Sequence, residues 1–147
     1  MEDSIMSVKI LLVDDEQGFV ETMEKRLTKR GIEVKTALSG QAALEALAEG
    51  GVEVVVLDVK MPVMDGIETL RRIKAEYPLT EVIMLTGHGT VETAIEGMKL
   101  GAYDYMLKPC ELEELMDKAK LAAGRRREHE QRIVEARAQS IALRRGD

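Results

Sequence analysis

Cysteine occurs once, at Cys110, in a chain of 147 residues. A lone cysteine excludes an intramolecular disulfide and any multi-cysteine zinc site, and it fits a reducing compartment. Tryptophan is absent, with one phenylalanine and three tyrosines. A core must therefore come from Val, Ile, Leu, Ala and the nine Met, which suits thin layers of sheet and helix. Long apolar runs are also missing: nothing approaches the ~20 residues a membrane span needs. The apolar run at 10–13 follows Glu2 and Asp3 instead of a basic segment, and it is too short for a signal peptide. These absences read as a soluble, cytoplasmic protein. Positive charge is in deficit too. The formal net charge of −6 argues against nucleic-acid binding by the body of the chain.

What is present is a repeating alternation. The length, with 45% hydrophobic residues, is enough for one domain with its own core. Residues 8–13 form a strand-length apolar run ending at Asp14-Asp15-Glu16. Phe19, Val20, Met23 and Leu27 recur at helical spacing and Gly31 supplies a stop, so 16–30 reads as a helix. Residues 32–34 predict a short second strand. Ser39 is an N-cap for a helix carrying Ala42, Ala43, Leu44 and Leu47, closed by Gly50-Gly51. Val54-Val55-Val56-Leu57 has three β-branched residues among four apolar ones, as in a strand buried on both faces. Asp58 stands at its exit, followed by turns at Pro62 and Asp65-Gly66 and a helix near 66–76 with Ile67, Leu70 and Ile73 inward. Residues 81–86 predict a fourth strand, and Val91, Ala94, Ile95 and Met98 a short helix ending at Gly101. A fifth strand at 103–107 leads through Lys108-Pro109 to a last helix from about Glu111.

Strands joined through helices run parallel, and right-handed crossovers put helices on both faces. The expected fold class is α/β: a doubly wound five-stranded parallel sheet in the flavodoxin-like order 2-1-3-4-5, with an extended C-terminal helix. In that order the switch point lies between strands one and three, and ligands gather beyond the carboxyl ends of the strands there. Asp14, Asp15 and Asp58 occupy those ends. Singly, a loop aspartate is more often a cap, Lys108 a surface charge and Thr86 a strand end. Their joint placement at adjacent strand ends makes coincidence the poorer account.

Three gathered carboxylates repel one another and call for a cation. Oxygen ligands with room for water suit Mg²⁺. Lys108 would add an ammonium to the same rim and Thr86 a hydroxyl. Such a set is a phosphoryl-transfer constellation in which one carboxylate attacks in line. Asp58, ending the central strand between the others, is the candidate nucleophile.

Leu12-Val13-Asp14-Asp15-Glu16, Leu57-Asp58, Met61-Pro62-Val63-Met64-Asp65-Gly66, Leu85-Thr86-Gly87 and Tyr105-Met106-Leu107-Lys108-Pro109 together resemble the receiver domain of two-component response regulators. The similarity covers roughly 7–123, with a receiver domain expected over 1–123 and a helical extension over 124–147. The resemblance implies that Asp58 takes a phosphoryl group from the phosphohistidine of a sensor histidine kinase or phosphotransfer protein, or from a small acyl phosphate. It also implies Mg²⁺ ligation by Asp15, the Asp58 carboxylate and the backbone carbonyl of Lys60, with Asp14 helping through water. Lys108 would hold a phosphoryl oxygen, and Lys108-Pro109 would be a cis peptide. Thr86 and Tyr105 would be the switch pair, reshaping the face of the fourth helix, fifth strand and fifth helix. Such a module modifies itself and turns over no outside substrate. Lys60 and His88 flank the acceptor where side chains tune acyl-phosphate hydrolysis, and slow self-hydrolysis is expected. His88 reads as a solvated loop residue instead of a phosphohistidine.

Two alternatives belong beside this reading. A haloacid-dehalogenase-type phosphatase also uses a strand-end aspartate, but it wants a second Asp two residues on, where this chain has Lys60. A receiver-like module working unphosphorylated would not need the complete Asp14, Asp15, Asp58, Thr86, Lys108 set. In the tail, helical patterning continues past Leu112, Leu115, Met116, Ala119 and Ala122 to Ile133, Val134, Ala138 and Ile141. Residues 124–132 between them contain no apolar side chain other than glycine's position. A continuous helix of ~35 residues would be about 50 Å long and would project or fold back. Residues 125–147 carry seven Arg against three Glu and one Asp. Without aromatics or a helix-turn-helix, they read as a solvated linker or dimerisation helix. A homodimer would use that helix or the face of the fourth helix, fifth strand and fifth helix. The resemblance around 86–115 is to receivers that precede larger output domains.

Overall fold

The computed structural model describes residues 7–144. Five strands, β1 (Lys9–Val13), β2 (Glu33–Ala37), β3 (Val54–Leu57), β4 (Glu81–Thr86) and β5 (Asp104–Leu107), alternate with five helices. These are α1 (Gln17–Lys29), α2 (Gly40–Ala48), α3 (Gly66–Glu76), α4 (Val91–Lys99) and α5 (Leu112–Arg144). All strand pairs are parallel and the order is β2-β1-β3-β4-β5, as the alternation predicts.

Strand residues point to alternate faces, and both faces here are covered. Ile10, Leu12, Val54, Val56, Ile83 and Leu85 pack with Val20, Met23 and Leu27 of α1 and with Leu115, Ala119 and Ala122 of α5. Leu11, Val13, Val55, Leu57, Val82 and Met84 pack instead with Ala43 and Leu47 of α2 and with Ile67, Leu70 and Ile73 of α3. Two-sided burial explains why β3 is apolar throughout and β4 apolar between Glu81 and Thr86, and why β4 and α3 fall where the pattern puts them. Ser39 caps α2 by accepting the Ala42 N–H.

Three elements differ from the sequence pattern. β2 runs Glu33–Ala37 instead of 32–34. It is an edge strand with mostly exposed side chains, so its limits come from pairing with β1 and not from apolar content. α4 forms where Val91, Ala94, Ile95 and Met98 indicate, yet Val91, Ile95 and Met98 are 73%, 50% and 47% exposed. The buried residue of that helix is Gly97, which faces Met84, Tyr105 and Leu70.

α5 is continuous for 33 residues, about 50 Å. Its charged middle is not simply solvated. Arg125 donates to both carboxylate oxygens of Glu81, at 2.5 and 2.9 Å, and Arg127 to both of Glu53, at 2.5 and 2.8 Å. The helix therefore stays pinned to the amino-terminal ends of β3 and β4 past Gly124. Beyond Glu130 the side chains of 131–144 are exposed, apart from a half-buried Ser140.

Candidate functional site

The backbone extends the sheet one residue past β1 and β3. The Asp14 N–H donates to Ala37 O (3.1 Å), and the Asp58 N–H donates to Val13 O (3.0 Å). These ladder bonds lock both aspartates at the carboxyl rim, at the switch point of the strand order. Asp14, Asp15 and Asp58 each offer a carboxylate oxygen within 4.8 Å of the others. Asp14 and Asp58 are buried and Asp15 is exposed. The loop after β3 folds tightly back on Asp58, with the Gly66 N–H donating to Val59 O (2.7 Å). A Cβ on Gly66 would collide with the Asp58 carbonyl oxygen, so only glycine fits that close approach. Val63, in the same loop, holds φ at 67°, a left-handed conformation that is strained for a β-branched residue.

Lys108 enters from the end of β5. Its N–H donates to Thr86 O (2.9 Å), and the Lys108–Pro109 peptide is cis. Its ammonium donates to Asp14 Oδ2 (2.5 Å) and Glu16 Oε1 (3.1 Å) and sits 4.0 Å from the centroid of the Phe19 ring. Burial opposes the charge on Lys108. The hydrogen bonds to Asp14 and Glu16, with Asp58 nearby, outweigh it and carry the lysine pKa above its ordinary value. Asp14 moves up as well, first through burial and then through the charge of Asp58, against the lowering effect of Lys108 and of the Glu16 N–H. One directly paired lysine does not neutralise three carboxylates. The donor set is all oxygen, partly open and under-compensated, which fits a hard divalent cation.

The cleft over the triad encloses about 410 Å³ and is lined by Asp15, Glu16, Asp58, Lys60, Met61, Pro62 and His88. Lys60 and His88 thus share the cleft with Asp58. Thr86 is fully buried at the end of β4, where its hydroxyl accepts the His88 N–H at 3.0 Å. Tyr105, on β5, reaches α4. It is half-buried, with its hydroxyl 2.9 Å from the Thr93 hydroxyl in the capping box of α4. Sequence reasoning missed Glu16 and Phe19 as neighbours of Lys108. Glu16 was visible as the third acid of its run, and Phe19 only as a helix marker.

The family model described as the response regulator receiver domain matches residues 10–120. This chain is a response regulator receiver domain. The receiver is 38% identical over 107 residues to regulatory protein AtoC of Escherichia coli (strain K12), covering 73% of this chain and 23% of that protein. It is 39% identical to response regulator protein FleR of Pseudomonas aeruginosa, covering 76% of this chain and 24% of FleR. The chain therefore spans about a quarter of these relatives. Among solved structures, a response regulator receiver domain protein from Clostridium thermocellum superposes with a TM-score of 0.77 at 38% identity, covering 82% of this chain and 97% of that one. The BeF3-activated DrrB receiver domain gives 0.71 at 37% identity, over 80% and 97% of the two chains. Family membership makes the receiver a regulatory phosphoacceptor domain of two-component signalling and sets aside the phosphatase alternative. Its acidic triad is typical of a Mg²⁺ site. Among the described residues, no helix is long and apolar enough to cross a membrane.

Proposed function

We propose that Asp58 accepts the phosphoryl group, from the phosphohistidine of a sensor histidine kinase or phosphotransfer protein or from a small acyl phosphate, in a cytoplasmic setting. The carrying observation is a buried Asp58 carboxylate within 4.8 Å of two more carboxylates under an open cleft, with Lys108 at the rim. Asp58 Oδ1 accepts the Val59 N–H at 2.8 Å, which leaves Oδ2 to attack phosphorus. As the O–P bond forms, the P–N bond to imidazole breaks and its electron pair leaves with the ring nitrogen. Lys108, kept charged by its carboxylate neighbours, holds a phosphoryl oxygen. Asp15, the Asp58 carboxylate and the Lys60 backbone carbonyl would hold Mg²⁺, with Asp14 acting through water. When bound, that ion offsets charge on the phosphoryl oxygens.

Thr86 accepts one hydrogen bond and keeps its own proton for a phosphoryl oxygen. Tyr105, tied to Thr93 at the start of α4, moves with it and reshapes the α4–β5–α5 face. Carrying a two-state switch from 1:99 to 99:1 takes about 5.5 kcal/mol of preference, to which charge-assisted bonds contribute strongly. That face exposes Val91, Ile95, Met98, Leu107 and Leu121, which supports its use in a homodimer or output contact. The extension over 124–147, with Ile133, Val134 and Ile141 exposed, is the other candidate dimer surface.

Incubation with Mg²⁺ and acetyl phosphate followed by intact mass tests the assignment. One added phosphoryl group is expected in the natural chain and none in Asp58→Ala. Modification that persists in Asp58→Ala would overturn it. Lys60 lines the cleft, so Lys60→Ala is expected to change the phosphoryl half-life. An unchanged half-life removes the Lys60 side chain, though not its backbone carbonyl, from the mechanism.

A further inference from the structure

We infer that Phe19 is a positioning residue for Lys108, its ring face holding the ammonium at the rim whatever the charge on the surrounding carboxylates. The inference rests on the reading that Asp58 is phosphorylated and that Lys108 serves it. Lys108 has three close partners: Asp14, Glu16 and the ring of Phe19. Two of them are unreliable anchors during the reaction. Asp14 belongs to the cation-binding triad, so its negative charge is shared once a metal arrives. Glu16 is 64% exposed, and its pairing is screened by solvent and salt. The ring neither titrates nor ligates a hard metal, and no step of phosphoryl transfer claims it.

Phe19 is also held firmly. It lies in the first turn of α1, half-buried, and packs against the core formed with β1 and α5. It is the chain's one phenylalanine, and its ring centroid is 4.0 Å from the ammonium of Lys108, which pairs with Asp14. Attraction between a cation and the negative face of an aromatic ring strengthens as both are desolvated, and only 14% of the Lys108 side chain is exposed. An aliphatic side chain at this position would fill the space without supplying that attraction.

The test compares the natural chain with Phe19→Leu and Phe19→Tyr, scoring the rate of Mg²⁺-dependent phosphorylation by acetyl phosphate. Phe19→Leu is expected to slow it by about three- to tenfold, the scale of a partly exposed cation–π contact. Phe19→Tyr is expected to stay within about twofold, because its ring keeps the same face. Mg²⁺ affinity should be unchanged in both, which separates a lost hold on Lys108 from a distorted triad. Proton NMR supplies a readout that needs no turnover. The Lys108 ε-methylene resonances should be shifted upfield by the ring, and should remain so after Mg²⁺ and beryllofluoride are added. Equal rates in the natural chain and Phe19→Leu would overturn the inference, as would disappearance of the upfield shift on adding Mg²⁺ and beryllofluoride. If the natural chain gains no phosphoryl group, the phosphoacceptor reading fails, and the ring-current shift still decides whether the contact exists.

Discussion

The two ends of the sheet both bury carboxylates and treat them in opposite ways. At the carboxyl rim, Asp14, Asp15 and Asp58 share a single directly paired lysine, and Asp14 is pushed above its ordinary pKa by burial and by Asp58. At the amino-terminal end, Glu53 and Glu81 meet Arg127, Arg125 and Lys74. There burial would raise the pKa of Glu53, but the Arg127 hydrogen bond and the Lys9 N–H overcome it and hold it low. One end carries unbalanced charge and a strained Val63, and the other is balanced by forked guanidinium contacts. Unbalanced charge costs stability and is kept where a ligand will neutralise it. Balanced charge fixes geometry, here the departure of α5 from the body. Perturbation at the two ends should therefore have opposite signs.

The largest stability effect is expected from Glu81→Ala, which leaves Lys74 and Arg125 without their buried partner. Because Arg125 is half-exposed, the loss should be about 2–3 kcal/mol by urea unfolding, below the full cost of breaking a buried pair. A change under ~0.5 kcal/mol would mean that this end is not held by charge. At the other rim, Asp58→Asn should stabilise the metal-free protein by about 1 kcal/mol while abolishing phosphorylation. Destabilisation there would erase the contrast between the two ends.

Acid sharpens the comparison. The Glu53 pKa is lower folded than its ordinary 4.5, so its contribution is present in full above that pH and is lost as pH falls through the folded value. The stability gap between the natural chain and Arg127→Met, about 1 kcal/mol near neutrality, should therefore shrink below pH ~4.5. A gap that widens in acid would refute the pairing. The smallest effect expected is a gain of up to ~1 kcal/mol for Val63→Gly, which relieves the left-handed strain in the loop beside Asp58.

Much of this was legible in the residue order. Runs such as Val54–Leu57 and the 82–85 centre of β4 are apolar throughout because both faces are buried, so length and position could be read together. Three aspartates at the ends of neighbouring strands could likewise be placed at one rim before any coordinates. The edge strand β2 and the outward face of α4 were not legible to that degree. In both, apolar content does not report burial: one pairs through backbone, and the other faces the sheet through Gly97.

By itself the chain's order of residues determined the alternation of strands and helices and put three aspartates at strand ends, because apolar periodicity and strand-end position are local properties. Tertiary structure alone decided which charges meet. Lys108 finds Glu16 across 92 positions, Arg127 finds Glu53 across 74, and Arg125 finds Glu81 across 44. No local pattern encodes such pairs, since each partner is set by where a distant helix is packed against the sheet.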